Sequence, residues 1–215
     1  MPVVTALRAT RGGRVAIHVD GELVCTVSEA LVARWHLYKG RELDAAALEQ
    51  LRAQAFSELV MADAYRLLGH RSRSREELRR RLLQKEHAPD AVAAALDALA
   101  ADGLIDDAEF TRSYVADKRR LAGWGAERIR RGLTALGVEQ ARIDAELGSE
   151  APGEGEDAEL ERAVAVLARK GAPQPPLEAA RRRAYQALLR RGFASSVAYA
   201  AVRRWSGGEP GDARG

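Results

Sequence analysis

A stretch of 23 residues that recurs without a gap constrains this chain more than any bulk property. "SREELRRRLLQKEHAPDAVAAAL" (74–96) lies over "GAERIRRGLTALGVEQARIDAEL" (125–147) at a shift of 51 residues. In that register Leu78 meets Ile129, Leu82 meets Leu133, Val92 meets Ile143 and Leu96 meets Leu147. A third, weaker copy, "RRRAYQALLRRGFASSVAYAAV" (181–202), follows a further 55 residues on, with Leu133 over Leu188, Gly137 over Gly192 and Val138 over Phe193. Each copy is preceded by another helical segment, about 56–69, 107–122 and 157–171. The unit is thus three helices long and occurs three times. A period near 50 marks a modular helical array whose units bury their faces partly on their neighbours. Shared Ala/Arg/Leu composition does not by itself reproduce an ungapped register of apolar positions. Composition supports helices all the same: 47% of residues are hydrophobic but only 5% aromatic, and alanine fills helix interfaces better than sandwich cores.

Only residues 3–27 read as β. "RVAIHVD" alternates Val15, Ile17 and Val19 on one face, "ELVCTV" places Leu23, Cys25 and Val27, and Asp20-Gly21 between them is a two-residue hairpin signal. Gly12-Gly13 turns a preceding strand, "VVTALRAT", into the same sheet. Ser28 is an N-cap for a short helix, and Asp44 caps a longer one, with a kink or a division left open. The expected fold is mainly α: tandem three-helix repeats with a small N-terminal antiparallel β-sheet or hairpin. The expected boundaries are an extension over 1–43, repeats over 44–103, 104–148 and 157–205, an acidic flexible linker over 149–156, and a disordered tail over 206–215. The stretch 148–161 carries six acidic residues and no basic one.

"GLIDDAEFTRSY" (103–114) joins two of these helices. Gly103 suits the left-handed residue that ends a helix. Asp106 is the next N-cap with Glu109 as its capping-box partner, and Ile105 and Phe110 are placed as a hydrophobic staple.

Motifs that carry chemistry are scarce in the chain. There is no P-loop Gly-Lys, no G-x-S-x-G elbow, and "GWGAER" stops short of a dinucleotide fingerprint. Cys25 is the single cysteine, and His18, His36, His70 and His87 share no ligand spacing. No enzyme, no metal and no cofactor is expected. With no secretory h-region and no apolar run of spanning length, the chain is expected to be soluble and cytoplasmic.

Basic clusters carry the stronger signal. Residues 71–85 hold seven basic side chains against two acidic, and 181–191 hold five against none. In "GAERIRRGLTAL", Ile129, Leu133 and Leu136 share a narrow helical stripe, which turns Arg128 and Arg131 outward. The same phase turns Arg73 and Arg80 outward, opposite Leu78 and Leu82. Arginine outnumbers lysine 30 to 4, and guanidinium forks suit phosphate and carboxylate. The candidate binding residues are Arg71, Arg73 and Arg80 in the first copy, Arg128 and Arg131 in the second, and Arg182 and Arg191 in the third. A solvated helix face enriched in arginine is the bland alternative. Trp124, between two glycines, reads as a packing residue more readily than as a base-stacking platform.

"SREELRRRLLQK", "LAADGLIDDAEFTRSYVADKRR", "GWGAERIRRGLTALGV" and "LLRRGFASSVAYAAV" resemble, in order, the motifs of the RecX family, bacterial regulators of the RecA recombinase. The stretch "HVDGELVCTVSEALVARWHLYKGREL" resembles the extension of its longer members. The resemblance implies tandem three-helix repeats in an elongated, curved array. It also implies a non-enzymatic protein that lies in the groove of the RecA–DNA filament and suppresses its ATPase, strand-exchange and coprotease activities. Partners would be the RecA filament and single- or double-stranded DNA bound without sequence preference, with no membrane and a monomeric chain. Two other readings stay open. "LDALAADGLI" resembles the helix and Gly-Leu-Ile joint of a winged-helix DNA-binding regulator, although no alternating wing pattern follows. A helical adaptor for an unrelated protein is the other.

Overall fold

Asp20 and Gly21 turn the chain with φ of 51° and 89°, the two positive values a type I′ hairpin needs. They join β2 (Arg14–Val19) to β3 (Glu22–Ser28), and β1 (Val4–Ala9) completes an antiparallel sheet of order β1-β2-β3. In this computed structural model residues 1–148, 154–169 and 171–207 are described. They fall into two units, one of residues 1–73 and 78–105, the other of residues 74–77 and those from Asp106 onward.

In the first unit the sheet departs from simple alternation twice, between Val4 and Ala6 of β1 and opposite Ile17 and His18. Ile17 pairs with Cys25 but His18 pairs with Leu23, so Val24 is the extra residue of a β-bulge. The bulge turns Leu23 off the face it was expected to share with Cys25 and Val27, and leaves it 61% exposed.

Ser28 caps α1 (Glu29–Arg34) by accepting from the Leu31 amide. Asp44 caps α2 (Ala45–His70) by accepting from Ala47. The Ser28 cap is tied to α2 through Glu58, whose carboxylate accepts from the Ser28 amide at 2.8 Å and its hydroxyl at 2.6 Å. Rather than kinking or dividing, α2 runs unbroken for 26 residues. Its first half gives Leu51 and Ala55 to a core shared with Val4, Ile17 and Val27 of the sheet. Its second half gives Val60 and Ala64 to another, built with Leu78 and Leu82 of α3 (Arg75–Leu83) and Leu96 and Leu99 of α4 (Pro89–Ala101). Asp63, only 8% exposed, sits beside this second core. It accepts from Arg66 at 2.8 Å, Lys85 Nζ at 3.1 Å and meets His87 Nε2 at 2.9 Å.

The second unit holds α5 (Asp107–Ala122), α6 (Ala126–Ala135), α7 (Gln140–Leu147), α8 (Glu154–Ala168), α9 (Leu177–Arg191) and α10 (Ser195–Trp205). The register seen in the sequence is a register of burial. Leu78, Leu82, Ile129, Leu133 and Leu188 are all fully buried, the matched Val92 and Ile143, and Val138 and Phe193, are buried, and Leu96 is buried where its match Leu147 is half-buried. The helix-ending turn matches too: Glu86, Gly137 and Gly192 occupy equivalent positions with φ of 64°, 79° and 84°. Helix α8 starts at Glu154, within the segment expected to be a linker; 149–153 lie outside the described residues. Ser206 and Gly207 follow α10, and the rest of the expected tail, 208–215, also lies outside them.

The 103–114 stretch marks the boundary between units. Gly103 (φ 70°) donates to Ala100 O and Leu104 to Leu99 O, a Schellman ending for α4. Asp106 caps α5 through its carboxylate, which accepts from Ala108 and Glu109 amides. The reciprocal arm of the capping box is replaced, because the Glu109 carboxylate accepts from Arg112 and Ser113 of its own helix. The expected staple divides as well: Ile105 joins the core around Leu99, and Phe110 joins that around Ile129. A helix, not a wing hairpin, follows this joint.

Candidate functional site

Copies two and three meet inside the second unit through backbone, and glycine is what lets them. The first amides of a helix have no partner within it. For α6 these are taken by the third copy: Gly125 N donates to Arg191 O at 2.9 Å, Ala126 N to the Glu159 carboxylate at 2.8 Å, and Glu127 N to Gly192 O at 3.1 Å. A Cβ on Gly125 would lie 2.4 Å from the Gly192 carbonyl oxygen, and one on Gly192 would lie 2.4 Å from Arg128 Cβ. Gly192 also needs its left-handed φ of 84°. Glu159 adds a negative charge at the positive end of the α6 dipole.

Trp124 stands at this joint as a packing residue. Lys118 Nζ lies 4.9 Å and the Arg128 guanidinium 4.2 Å from its ring centroid, and Lys118 also reaches Tyr114 at 5.0 Å. Such contacts are worth about 0.5–1 kcal/mol each at exposed sites.

The seven candidate arginines divide between the two units. In the first, Arg71 is exposed and donates to Ser72 O at 2.9 Å, and Arg80 is exposed on α3. Arg73 precedes α3, so helical phase does not govern it; it is half-buried and its Nε donates to Leu67 O at 3.1 Å. In the second, Arg128 departs from the outward position expected of it. It is half-buried over Trp124 and donates to Arg190 O at 3.1 Å, drawn in by the close approach at Gly192. Arg191 is half-buried at the same joint and supplies the carbonyl to Gly125. Arg131 and Arg182 are exposed, and neither side chain has a polar partner among the described residues. Arg182 shares an exposed face of α9 with Arg183, Gln186 and Arg190.

Local electrostatics otherwise stabilise helices. The hydrogen bond from Arg130 to Asp144, with a second from Gln140, holds the Asp144 carboxyl below the usual carboxylate range. Burial pushes the Cys25 thiol up, against the opposing fields of Arg52 and Arg14. Among the described residues no group of His, Cys, Asp and Glu could hold a metal ion, and no helix is long and apolar enough to cross a membrane. Sequence reasoning passed over Lys118, which reaches Tyr114 and Trp124 around the end of its own helix, and Glu159, whose partner Ala126 is distant along the chain.

Three family models match consecutive parts of the chain: the first three-helix domain of RecX over residues 61–99, the second over 106–147 and the third over 157–202. The regulatory protein RecX of Levilactobacillus brevis is 31% identical over 203 residues, covering 92% of this chain and 74% of that one. The regulatory protein RecX of Halorhodospira halophila is 36% identical over 156 residues, 70% of this chain and 90% of its own. A crystal structure of a regulatory protein RecX superposes with a TM-score of 0.64 at 24% identity, covering 92% of this chain and 97% of that one.

Proposed function

The chain belongs to the RecX family, and from that premise we propose that it is a non-enzymatic negative regulator of the RecA recombinase. It binds the RecA–DNA filament and lowers its ATPase, strand-exchange and coprotease activities, and so modulates recombination, DNA repair and the SOS response. The observation that carries this reading is the succession of all three RecX three-helix domains, in order, over one chain. The exposed Arg131 and Arg182 support it, since they are placed to meet an acidic surface or a phosphate. Arg71, Arg73, Arg80, Arg128 and Arg191 belong to the same proposed contact set. Arg128 and Arg191 contribute to it chiefly by holding the joint that positions the exposed arginines.

The test is RecA's DNA-dependent ATP hydrolysis as this protein is titrated in well below the RecA concentration. Inhibition at such ratios is expected, because a regulator acting on a filament need not match every subunit. Inhibition only once the DNA is saturated would replace this reading with competition for DNA. The double reversal Arg80→Glu/Arg131→Glu is expected to abolish inhibition with helicity intact by circular dichroism. Unchanged inhibition would remove both residues from the contact set.

A further inference from the structure

The second unit contains a cleft walled by arginine from two different repeats. Arg119 and Arg120 come from the last turn of α5, Arg162 from α8, and Arg169 from just past the end of α8. Gly123, Ala165, Val166 and Phe193 are among the apolar lining. Gly123 ends α5 at φ 60°, and a Cβ there would lie 2.9 Å from Val166, so the two repeats approach at the cleft without an intervening side chain.

Helix C-termini attract cations, which accounts for a guanidinium at the end of α5 or α8. It does not account for the convergence of four on one small cleft, where Arg119 and Arg162 have interactions of their own and Arg120 and Arg169 stay exposed. The Arg120–Asp117 pair is 3.5 Å long with both side chains more than half exposed, and contributes little screening of its own. Arg169 has no side-chain partner among the described residues. The polar side-chain groups lining the cleft are guanidinium and indole N–H, all donors, with no acceptor among them. A ligand that fits is therefore anionic, rich in acceptors and poor in donors, with an apolar part for Ala165 and Val166. A peptide fits less well, since its amide donors would find no side-chain acceptor. Base readout is also disfavoured, because discriminating base edges uses acceptors as well as donors.

We propose that this cleft binds the sugar–phosphate backbone of a nucleic-acid strand, irrespective of its base sequence. Phosphate oxygens take the arginines and the C–H face of the sugar lies on the apolar lining. The inference rests on nucleic acid being a partner of the protein, and adds to that reading a site whose exposed cations are Arg120 and Arg169, with Arg119 and Arg162 beside them in the lining.

The test uses the full chain and fluorescence anisotropy with two labelled oligonucleotides of equal length, one oligothymidylate and one of mixed sequence, over a salt series. The variant is Arg120→Ala/Arg169→Ala, both side chains being exposed, and the control is Arg8→Ala/Arg11→Ala, on β1 and the turn after it in the first unit, with the same charge change. The variant is expected to lose about tenfold in affinity for both oligonucleotides, with a salt slope shallower by roughly 1.4, about 0.7 for each lost contact. The control is expected to match the unmodified protein. No binding by the unmodified protein, a variant no weaker than the control, or a loss confined to one sequence would each overturn the site. Labelled oligoglutamate lost by the variant while oligonucleotide binding persists would assign the cleft to an acidic protein instead. RecA ATPase inhibition, measured on the same proteins, separates the two ideas. Intact inhibition with unchanged oligonucleotide affinity defeats the cleft alone. Absent inhibition by the unmodified protein, with the affinity difference present, defeats the regulator reading alone.

Discussion

Asp63 shows how one carboxylate can hold a repeat together. Its burial works to raise its pKa, but hydrogen bonds from His87 and Lys85, with Lys85 and Arg66 charges nearby, outweigh burial and hold it below the usual range. A depressed carboxyl stabilises the fold above its unfolded pKa near 4, and that stabilisation is lost as pH falls through the lower folded value. Acid unfolding of the first unit should therefore steepen below about pH 4, and Asp63→Asn should flatten it in a pH series of urea melts. Asp63→Ala is expected to cost about 1–3 kcal/mol at neutral pH, since it strands a buried imidazole and an ammonium. The turn that ends the second helix of each copy offers a test of opposite sign. Glu86 holds a left-handed φ of 64° where the other copies have glycine. Glu86→Gly is expected to stabilise by up to about 1 kcal/mol, and Gly137→Ala to destabilise by about 1 kcal/mol or more, both read by denaturant midpoints.

At the scale of elements, what was legible in the sequence followed from neighbours along the chain. The Asp20-Gly21 hairpin, the Ser28, Asp44 and Asp106 caps and the Gly103 ending all depend on residues within a turn of one another. The repeat register predicted which positions are buried because the same three-helix packing is used again. What escaped is a choice among partners that local pattern does not rank. The bulge at Val24 depends on how β2 pairs, Arg128 is drawn inward by Gly192 of a later copy, and Glu109 takes Arg112 and Ser113 of its own helix in place of the cap. The cleft arginines went unremarked because Arg119 and Arg120 lie in one copy and Arg162 and Arg169 in the next. The glycine joint is the most sensitive of these elements. Gly125→Ala or Gly192→Ala would set a Cβ 2.4 Å from the facing copy, so the two must part, which should cost about 2 kcal/mol or more in thermal or denaturant melts of the second unit. Glu159→Gln keeps the hydrogen bond but removes the charge at the α6 start, and should cost only about 0.5–1 kcal/mol.

Over the whole molecule, the copies share their apolar register and diverge in their charged and aromatic groups. The first keeps a buried charged network at Asp63, the second a tryptophan under two cations, and the third a helix face of arginines. Reversing Arg131 and Arg182 together should abolish RecA regulation with little change in Tm, because neither side chain has a polar partner among the described residues. A retained regulatory effect in ATPase titrations would place the contact elsewhere. A last consequence comes from α2, whose 26 residues serve the sheet's core with one half and the first repeat's core with the other. A hydrogen-bonded rod that cannot be cut at its middle without unravelling both ends ties the melting of the two cores together. Amide exchange along α2 should then be slow at both Leu51 and Val60 and quicken at both together when either core is weakened. The strands ahead of the repeats act as ballast for the first of them, and losing them would let it breathe.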